Sequence, residues 1–254
     1  MKLHYQITGE GQALVIIHGL FGSSDNWRAM AKQLSAYAKV ITIDLRNHGL
    51  SPHSAQQDYP LMVADLIELF DDLGIERANI IGHSVGGKVA MEFAASYPER
   101  LVKLIVVDIS PRRYIDTQKK IFNLLINLDL SHYSRRRDVD EALMEQLPDR
   151  AVRQFLLMNL ISKEGKLKWR INLAALNENY HHLLAPVCEQ QTIDVECCFT
   201  RGGLAQFIQI EDEQLIARQF HNSEVYTIEQ AGHWVHAEAP QQFLAKVVEF
   251  LYYD

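Results

Sequence analysis

Apolar residues along this chain fall into two patterns: short unbroken runs, and longer stretches in which they recur every three or four positions. Residues 13–17 are an unbroken run rich in β-branched side chains, as expected of a strand covered on both faces of a parallel sheet, and the mainly apolar stretches 40–43, 78–81 and 103–109 read as further buried strands. The stretches between them carry helical spacing. Leu61, Ala64, Leu66, Leu69 and Leu73 form one stripe, closed by Gly74. Trp27, Met30 and Leu34 form another, behind a Ser23-Ser24-Asp25-Asn26 cluster suited to capping a helix N-terminus. Residues 88–96 form a third, ending before Pro98. Strands and helices alternating in this way predict an α/β fold with a mainly parallel, doubly wound sheet. Residues 2–8 alternate ahead of Gly9-Glu10-Gly11 and predict an opening edge strand or hairpin.

The alternation stops after Pro111. Helical spacing at 116–128, 139–147 and 149–161 continues with no buried strand among them. A block of helices interrupting a parallel sheet fits most simply over the C-terminal edge of its strands, as a lid. Trp169, Ile171, Leu173, Leu176, Tyr180, Leu183 and Leu184 then form an apolar stretch able to line a substrate cavity, although most such residues pack a lid onto its core. Arg135-Arg136-Arg137 reads as a solvated turn. Strand patterns return at 195–200 and 224–228, with an acidic helix near 212–220 between them and an amphipathic helix from Pro240. The predicted organisation is one core built from 1–110 and 195–254, with a helical lid at 111–194.

At 254 residues and 48% apolar, the chain can bury one large core without needing a second. A formal net charge of -7 disfavours nucleic acid and anionic membranes, which want a basic face, and leaves a small molecule as the expected partner. Neighbours on a strand face opposite ways, so Cys197 and Cys198 are poorly placed to bridge. With Cys188 they read as thiols of a reducing compartment. The start has no signal-peptide pattern and no run approaches ~18 apolar residues, so a cytoplasmic location is expected.

Candidate chemistry concentrates where the strands end. Ile81-Gly82-His83-Ser84-Val85-Gly86-Gly87 joins a strand pattern to a helix pattern and reads Gly-x-Ser-x-Gly. So sharp a turn strains its serine and needs glycine on both flanks, and it exposes the Ser84 hydroxyl beside the free Val85 N–H. The plain alternative is a Gly-rich turn with an incidental serine, which only matching partners exclude. His18-Gly19-Leu20-Phe21-Gly22 follows the first buried strand, and its N–H groups can cradle an oxyanion. Leu20 is the preferred donor beside Val85, with Phe21 the alternative.

A serine nucleophile also needs a base and a group to orient that base. His233, in Ala231-Gly232-His233-Trp234 after the last strand, satisfies the chain order Ser, acid, His. His236 is the rival, expected instead to pack with Glu238. His48 is expected to be structural, in a loop that Asp44 and Arg46 tie together by charged hydrogen bonds. After the penultimate strand, Gly202-Gly203-Leu204-Ala205-Gln206-Phe207 offers no carboxylate, so Asp108, ending the strand before it, is the preferred acid over Glu211 or Asp212. Phe21, Trp169 and Trp234 are candidate substrate-binding residues. Arg112 and Arg113 could meet a phosphate-bearing leaving group, although solvated arginines are commoner. The histidines are scattered and show no ligand spacing with cysteine, so neither metal nor organic cofactor is expected.

With these residues in place, the whole chain resembles the α/β-hydrolase superfamily. More narrowly, His18-Gly-Leu-Phe-Gly-Ser23, Asp44-Leu-Arg-Asn-His-Gly49-x-Ser51, Gly82-His-Ser-Val-Gly-Gly-Lys88 and Gly232-His-Trp-Val-His-Ala-Glu238 are similar to the bacterial YbfF-type esterases and their eukaryotic relatives. Asn47-His48 and Lys88 are the distinguishing marks. The resemblance implies an α/β-hydrolase fold, a serine esterase acting on carboxylic esters with acyl-CoA thioesters as a second class, and an acid after the strand that ends at Asp108. A lyase using the same triad as a base, as in a menaquinone-pathway enzyme of this fold, and a ligand-sensing hydrolase-fold protein are the competing functions.

Overall fold

In the computed structural model, which describes residues 1–253, the predicted buried strands become neighbouring strands of one sheet. The strands are β1 (Tyr5–Thr8), β2 (Ala13–Ile17), β3 (Lys39–Ile43), β4 (Ala78–His83), β5 (Leu101–Val107), β6 (Leu160–Lys163), β7 (Lys166–Trp169), β8 (Glu196–Gly202) and β9 (Ser223–Ile228). Seven of them form the main sheet in the order β1-β3-β2-β4-β5-β8-β9. β1 runs antiparallel to β3 at the edge, as the alternation of residues 2–8 predicts, and the other pairings are parallel.

The central strands are mainly apolar because both of their faces are covered. Val15, Ile17, Ile80, Leu104, Val106, Cys197 and Phe199 enter one core cluster, and their neighbours Leu14, Ile16, Ile81, Ile105, Val107 and Cys198 enter the other. The three cysteines are buried free thiols, with Cys197 and Cys198 on opposite faces. One face is covered by α1 (Arg28–Leu34) and the C-terminal α11 (Pro240–Tyr252), through Trp27, Met30, Leu34, Phe243 and Val247. The other is covered by α2 (Tyr59–Asp72) and α3 (Val85–Ser96). Asp58 caps α2 by accepting from Leu61 N–H at 2.8 Å.

Between β5 and β8 lies the insertion, with α4 (Lys119–Asn127), α5 (Arg136–Leu143), α6 (Arg150–Leu157), α7 (Leu173–Glu178) and α8 (Tyr180–Leu183). Two expectations are corrected here. The helix expected over 149–161 ends at Leu157, and β6 and β7 follow as an antiparallel hairpin, so the insertion is not purely helical. Its turn is Glu164-Gly165, both at positive φ (55° and 74°), the backbone that closes a two-residue hairpin. Arg135-Arg136-Arg137 is not a free turn either. Arg136 and Arg137 open α5, and Arg135 and Arg137 pair with Asp138 and Glu141 on the exposed helix face.

The chain leaves and re-enters the core side by side, with Tyr114 N–H donating to Leu184 O and Val187 N–H to Pro111 O, each at 2.9 Å. Buried Lys88 on α3 donates to Arg112 O at 2.7 Å and Ala185 O at 2.6 Å, fastening both ends of this neck. Burial pulls its ammonium down to about 7. The apolar stretch from Trp169 to Leu184 is mostly packed inside this unit; Tyr180 and Phe122, for example, meet at a ring separation of 5.3 Å. Between the insertion and the C-terminal α11 lie α9 (Asp212–Gln219) and the single turn α10 (Val235–Glu238).

Candidate active site

β4 delivers Ser84 at the mouth of α3 with φ 52° and ψ -119°, outside the conformations that side-chain-bearing residues favour. The bend is possible because nothing projects from its flanks. A Cβ on Gly82 would run into the Gly86 carbonyl, and one on Gly86 would lie 2.5 Å from Ile17 O and His18 O at the end of β2. Val85 N–H and Leu20 N–H make no hydrogen bond among the described residues, and a Cβ on Gly19 would stand 3.0 Å from that of Ser84. Two free donors therefore sit on segments packed beside the serine.

β5 ends one strand over at Asp108, also at positive φ (49°) and fully buried. Its Oδ2 accepts from His233 Nδ1 at 2.7 Å and its Oδ1 from Gly202 N–H at 3.0 Å. Gly202, the last residue of β8, thus serves Asp108, whereas the N–H of Gly203 donates to Ile228 O at 2.9 Å. Burial pushes the Asp108 carboxyl up and the His233 imidazole down, while the Gly202 N–H favours the carboxylate. A neutral imidazole with Nδ1–H on Asp108 leaves Nε2 as a lone-pair acceptor. No hydrogen bond joins Ser84 Oγ to His233 among the described residues, the looseness common before substrate is bound.

The His233 loop is fixed from several sides. Glu238 accepts from Gly232 N–H at 2.7 Å and Trp234 N–H at 3.1 Å, and His83, beside Ser84, bonds through Nε2 to His233 O at 2.9 Å. Phe207 stacks on the His233 ring at 3.9 Å and 22°. The Phe207 carbonyl is held by the Tyr114 hydroxyl, which itself accepts from Ser110 N–H at 2.8 Å. Neither Phe207 nor His83 stood out in the sequence. His83 lies inside the Gly-x-Ser-x-Gly motif, but Phe207 had no local signal.

The remaining candidates are accounted for by position. His236 does not pack with Glu238, as the sequence suggested; it is buried, stacked on Trp27 at 3.9 Å and 10°. His48 is fully buried at about 3, far too acidic to act as a base near neutrality. Asp44 accepts from Ser24 and Leu50 N–H, both at 2.7 Å, and Arg46 grips Asp65 with two nitrogens, so both hold their loop as expected. Asp212 is paired with Arg112 at 2.9 Å, which occupies that arginine too, and Glu211 is exposed at the start of α9. Phe21 is buried against Phe122 at 4.9 Å. Trp234 lies 6.2 Å from His233 and 5.2 Å from Phe155 of α6, between the histidine and the insertion. Trp169 instead ties β7 to α4, donating to Leu125 O at 3.2 Å.

The buried imidazoles make stability depend on pH. Desolvation holds His18, His48, His83, His233 and His236 below 6.5 in the folded chain. Their stabilisation is complete above 6.5 and is lost as pH falls, because the unfolded chain takes up protons that the folded one refuses. Each full proton is worth about 1.4 kcal/mol per pH unit; Asp108, shifted upward, opposes with at most one. Urea midpoints are expected to drop steeply from pH 7 to pH 5. Equal midpoints would mean that these rings accept protons in the fold.

The sheet, the strained serine bend and the edge placement of Ser84, Asp108 and His233 together define an α/β hydrolase. The chain belongs to the α/β-hydrolase fold family, whose profile matches residues 12–146. It is similar to the sn-1-specific diacylglycerol lipase ABHD11 of Danio rerio, 37% identical, over 96% of this chain and 79% of that protein. It is also similar to the esterase YbfF of Escherichia coli, 32% identical, over 94% and 92%. Among solved structures, a marine microorganism esterase matches with a TM-score of 0.96 at 38% identity, covering 98% of this chain and 99% of that one.

Proposed function

We propose that the protein is a serine esterase that hydrolyses small-molecule carboxylic esters, and acyl-CoA thioesters as a second class, through an acyl-enzyme. The observation that carries this is the 2.7 Å bond from His233 Nδ1–H to buried Asp108, beside a serine held at φ 52°. With Nδ1 protonated, His233 Nε2 takes the Ser84 proton as Oγ attacks the carbonyl carbon. Val85 N–H and Leu20 N–H receive the oxyanion. His233 then protonates the leaving alcohol or thiol, and afterwards draws a proton from the water that releases the acid and restores Ser84. Each step uses side chains and backbone N–H groups of this chain. The insertion acts as the lid, with Phe21 and Trp234 facing substrate. Relatives named as esterases and as a diacylglycerol lipase fit the same reading.

Rapid mixing with p-nitrophenyl acetate is expected to release a burst of p-nitrophenol stoichiometric with enzyme, followed by slower turnover. Slow ester release without a burst would turn the reading toward a lyase that uses Ser84 and His233 only to move protons. Tight ligand binding with no turnover would turn it toward a sensor.

A further inference from the structure

Three successive peptide units of the loop after β2 are held, each by a different group. Gly19 O accepts from Gly22 N–H at 3.0 Å and from His18 Nδ1 at 2.7 Å. In a trans peptide the N–H points opposite to the carbonyl, so this fixes the direction of Leu20 N–H. Phe21, at φ 60°, then carries the loop through a left-handed bend. Its N–H donates to His48 Nε2 at 3.3 Å, and its carbonyl accepts from Asn159 Nδ2 at 2.7 Å.

The two gripping residues come from different parts of the molecule. His48 sits in the β3 loop, fully buried, its Nδ1–H donating to Arg46 O at 2.9 Å, which leaves Nε2 as an acceptor. Burial keeps that ring neutral down to about 3, so the acceptor persists across the working pH range. Asn159 is the insertion's contribution, buried between α6 and β6 with its amide also on Leu156 O at 3.2 Å. Its own carbonyl accepts from Arg170 N–H at 2.7 Å, and the Arg170 side chain reaches Ser23 Oγ at 3.2 Å. The insertion therefore touches the loop at Phe21 and again two residues later.

We propose that His48 and Asn159 are positioning residues of the oxyanion hole, gripping the peptide units around Phe21 from the core and from the insertion. With Phe21 N–H committed to His48, Leu20 N–H is the donor that pairs with Val85 N–H. The insertion thereby acts on the chemical step as well as on access. This rests on the acyl-transfer reading above.

The test uses the full chain with p-nitrophenyl acetate, and with phenylboronic acid, whose tetrahedral adduct on Ser84 places an oxygen in the hole. At similar volume, His48→Phe and Asn159→Leu each remove the grip on Phe21 together with one local bond, to Arg46 O and Leu156 O respectively. Each is expected to lower kcat about 10–100-fold, less than outright loss of a donor, with KM within about twofold and boronate affinity falling in parallel. His48→Gln, which keeps an acceptor, is expected to recover part of kcat. Folded variants with unchanged kcat, or with a raised KM and unaltered boronate affinity, would overturn the proposal.

Both residues are buried, so a measurement on the unmodified protein covers the case in which variants misfold. Through-hydrogen-bond NMR coupling between the Phe21 amide and His48 Nε2 is expected in the free enzyme and in the boronate adduct. Transfer of that amide to the boronate would refute the assignment of Leu20. Absence of any Ser84-dependent turnover in the unmodified enzyme would instead remove the esterase reading, while the coupling would still report the grip.

Discussion

Replacing Ser84 with alanine is expected to lower kcat on p-nitrophenyl esters by on the order of 10⁶. The substitution removes one oxygen from a residue whose backbone is already constrained by the close approach of Gly82 and Gly86 to their surroundings. Alanine keeps the strained φ of 52° and leaves Val85 N–H in place, so the fold and the oxyanion donors should persist. What disappears is covalent catalysis. Water must then attack the ester directly, aided only by binding and by the hole, which together sustain a residual advantage of about 10³–10⁴ over uncatalysed hydrolysis. KM should change little, because the hydroxyl contributes more to the transition state than to ground-state binding. The comparison needs steady-state rates, the burst amplitude and a thermal melt. A folded Ser84→Ala protein with more than about a tenth of the normal rate would place the nucleophile elsewhere.

The parts of this architecture legible in the sequence are those whose physics is local. Residues such as Val15, Ile80 and Leu104 sit in short, mainly apolar stretches because their strands are buried on both faces, and such stretches stand out without knowledge of partners. The elbow is legible for a similar reason, since glycines within two residues of Ser84 make the turn possible. Asp108 stands out in the sequence because the Gly202–Phe207 stretch lacks a carboxylate, and in the structure the Gly202 N–H turns to Asp108 Oδ1.

Other features depend on contacts made across long sequence separations. Asn159 and Phe21 are 138 residues apart, and neither has a neighbour that announces the other. Phe207 stacks on His233 only because the loop after β8 folds back over the loop after β9. The β6–β7 hairpin escapes a periodicity reading because its strands are four residues each and rich in lysine, so the apolar residues continue the spacing of the helix before them. Sequence proximity pairs His236 with Glu238. The aromatic surface of Trp27, 209 residues earlier by their numbers, holds it instead.

Asp108→Asn is expected to reduce kcat by about 10⁴ with little change in KM. The reason lies in the two hydrogen bonds of this carboxylate. Gly202 N–H needs an acceptor on Oδ1, at 3.0 Å, and the asparagine oxygen can supply it. That fixes the amide orientation and turns its NH₂ group toward His233 Nδ1, 2.7 Å away in the parent. An NH₂ donor there selects the tautomer with Nδ1 bare and Nε2 protonated, which cannot accept a proton from Ser84. The substitution is nearly isosteric and removes a buried carboxyl that desolvation opposes, so stability should be retained or slightly improved. Glu211→Gln serves as the control and is expected to leave kcat within about twofold, since Glu211 is exposed and has no bond to the histidine among the described residues. Near-normal turnover in Asp108→Asn, with a loss in the Glu211 variant or in Asp212→Asn, would transfer the role to the later acids. The same inactivity should persist as pH is raised, because deprotonating solution groups cannot restore a tautomer that the Gly202 bond has fixed.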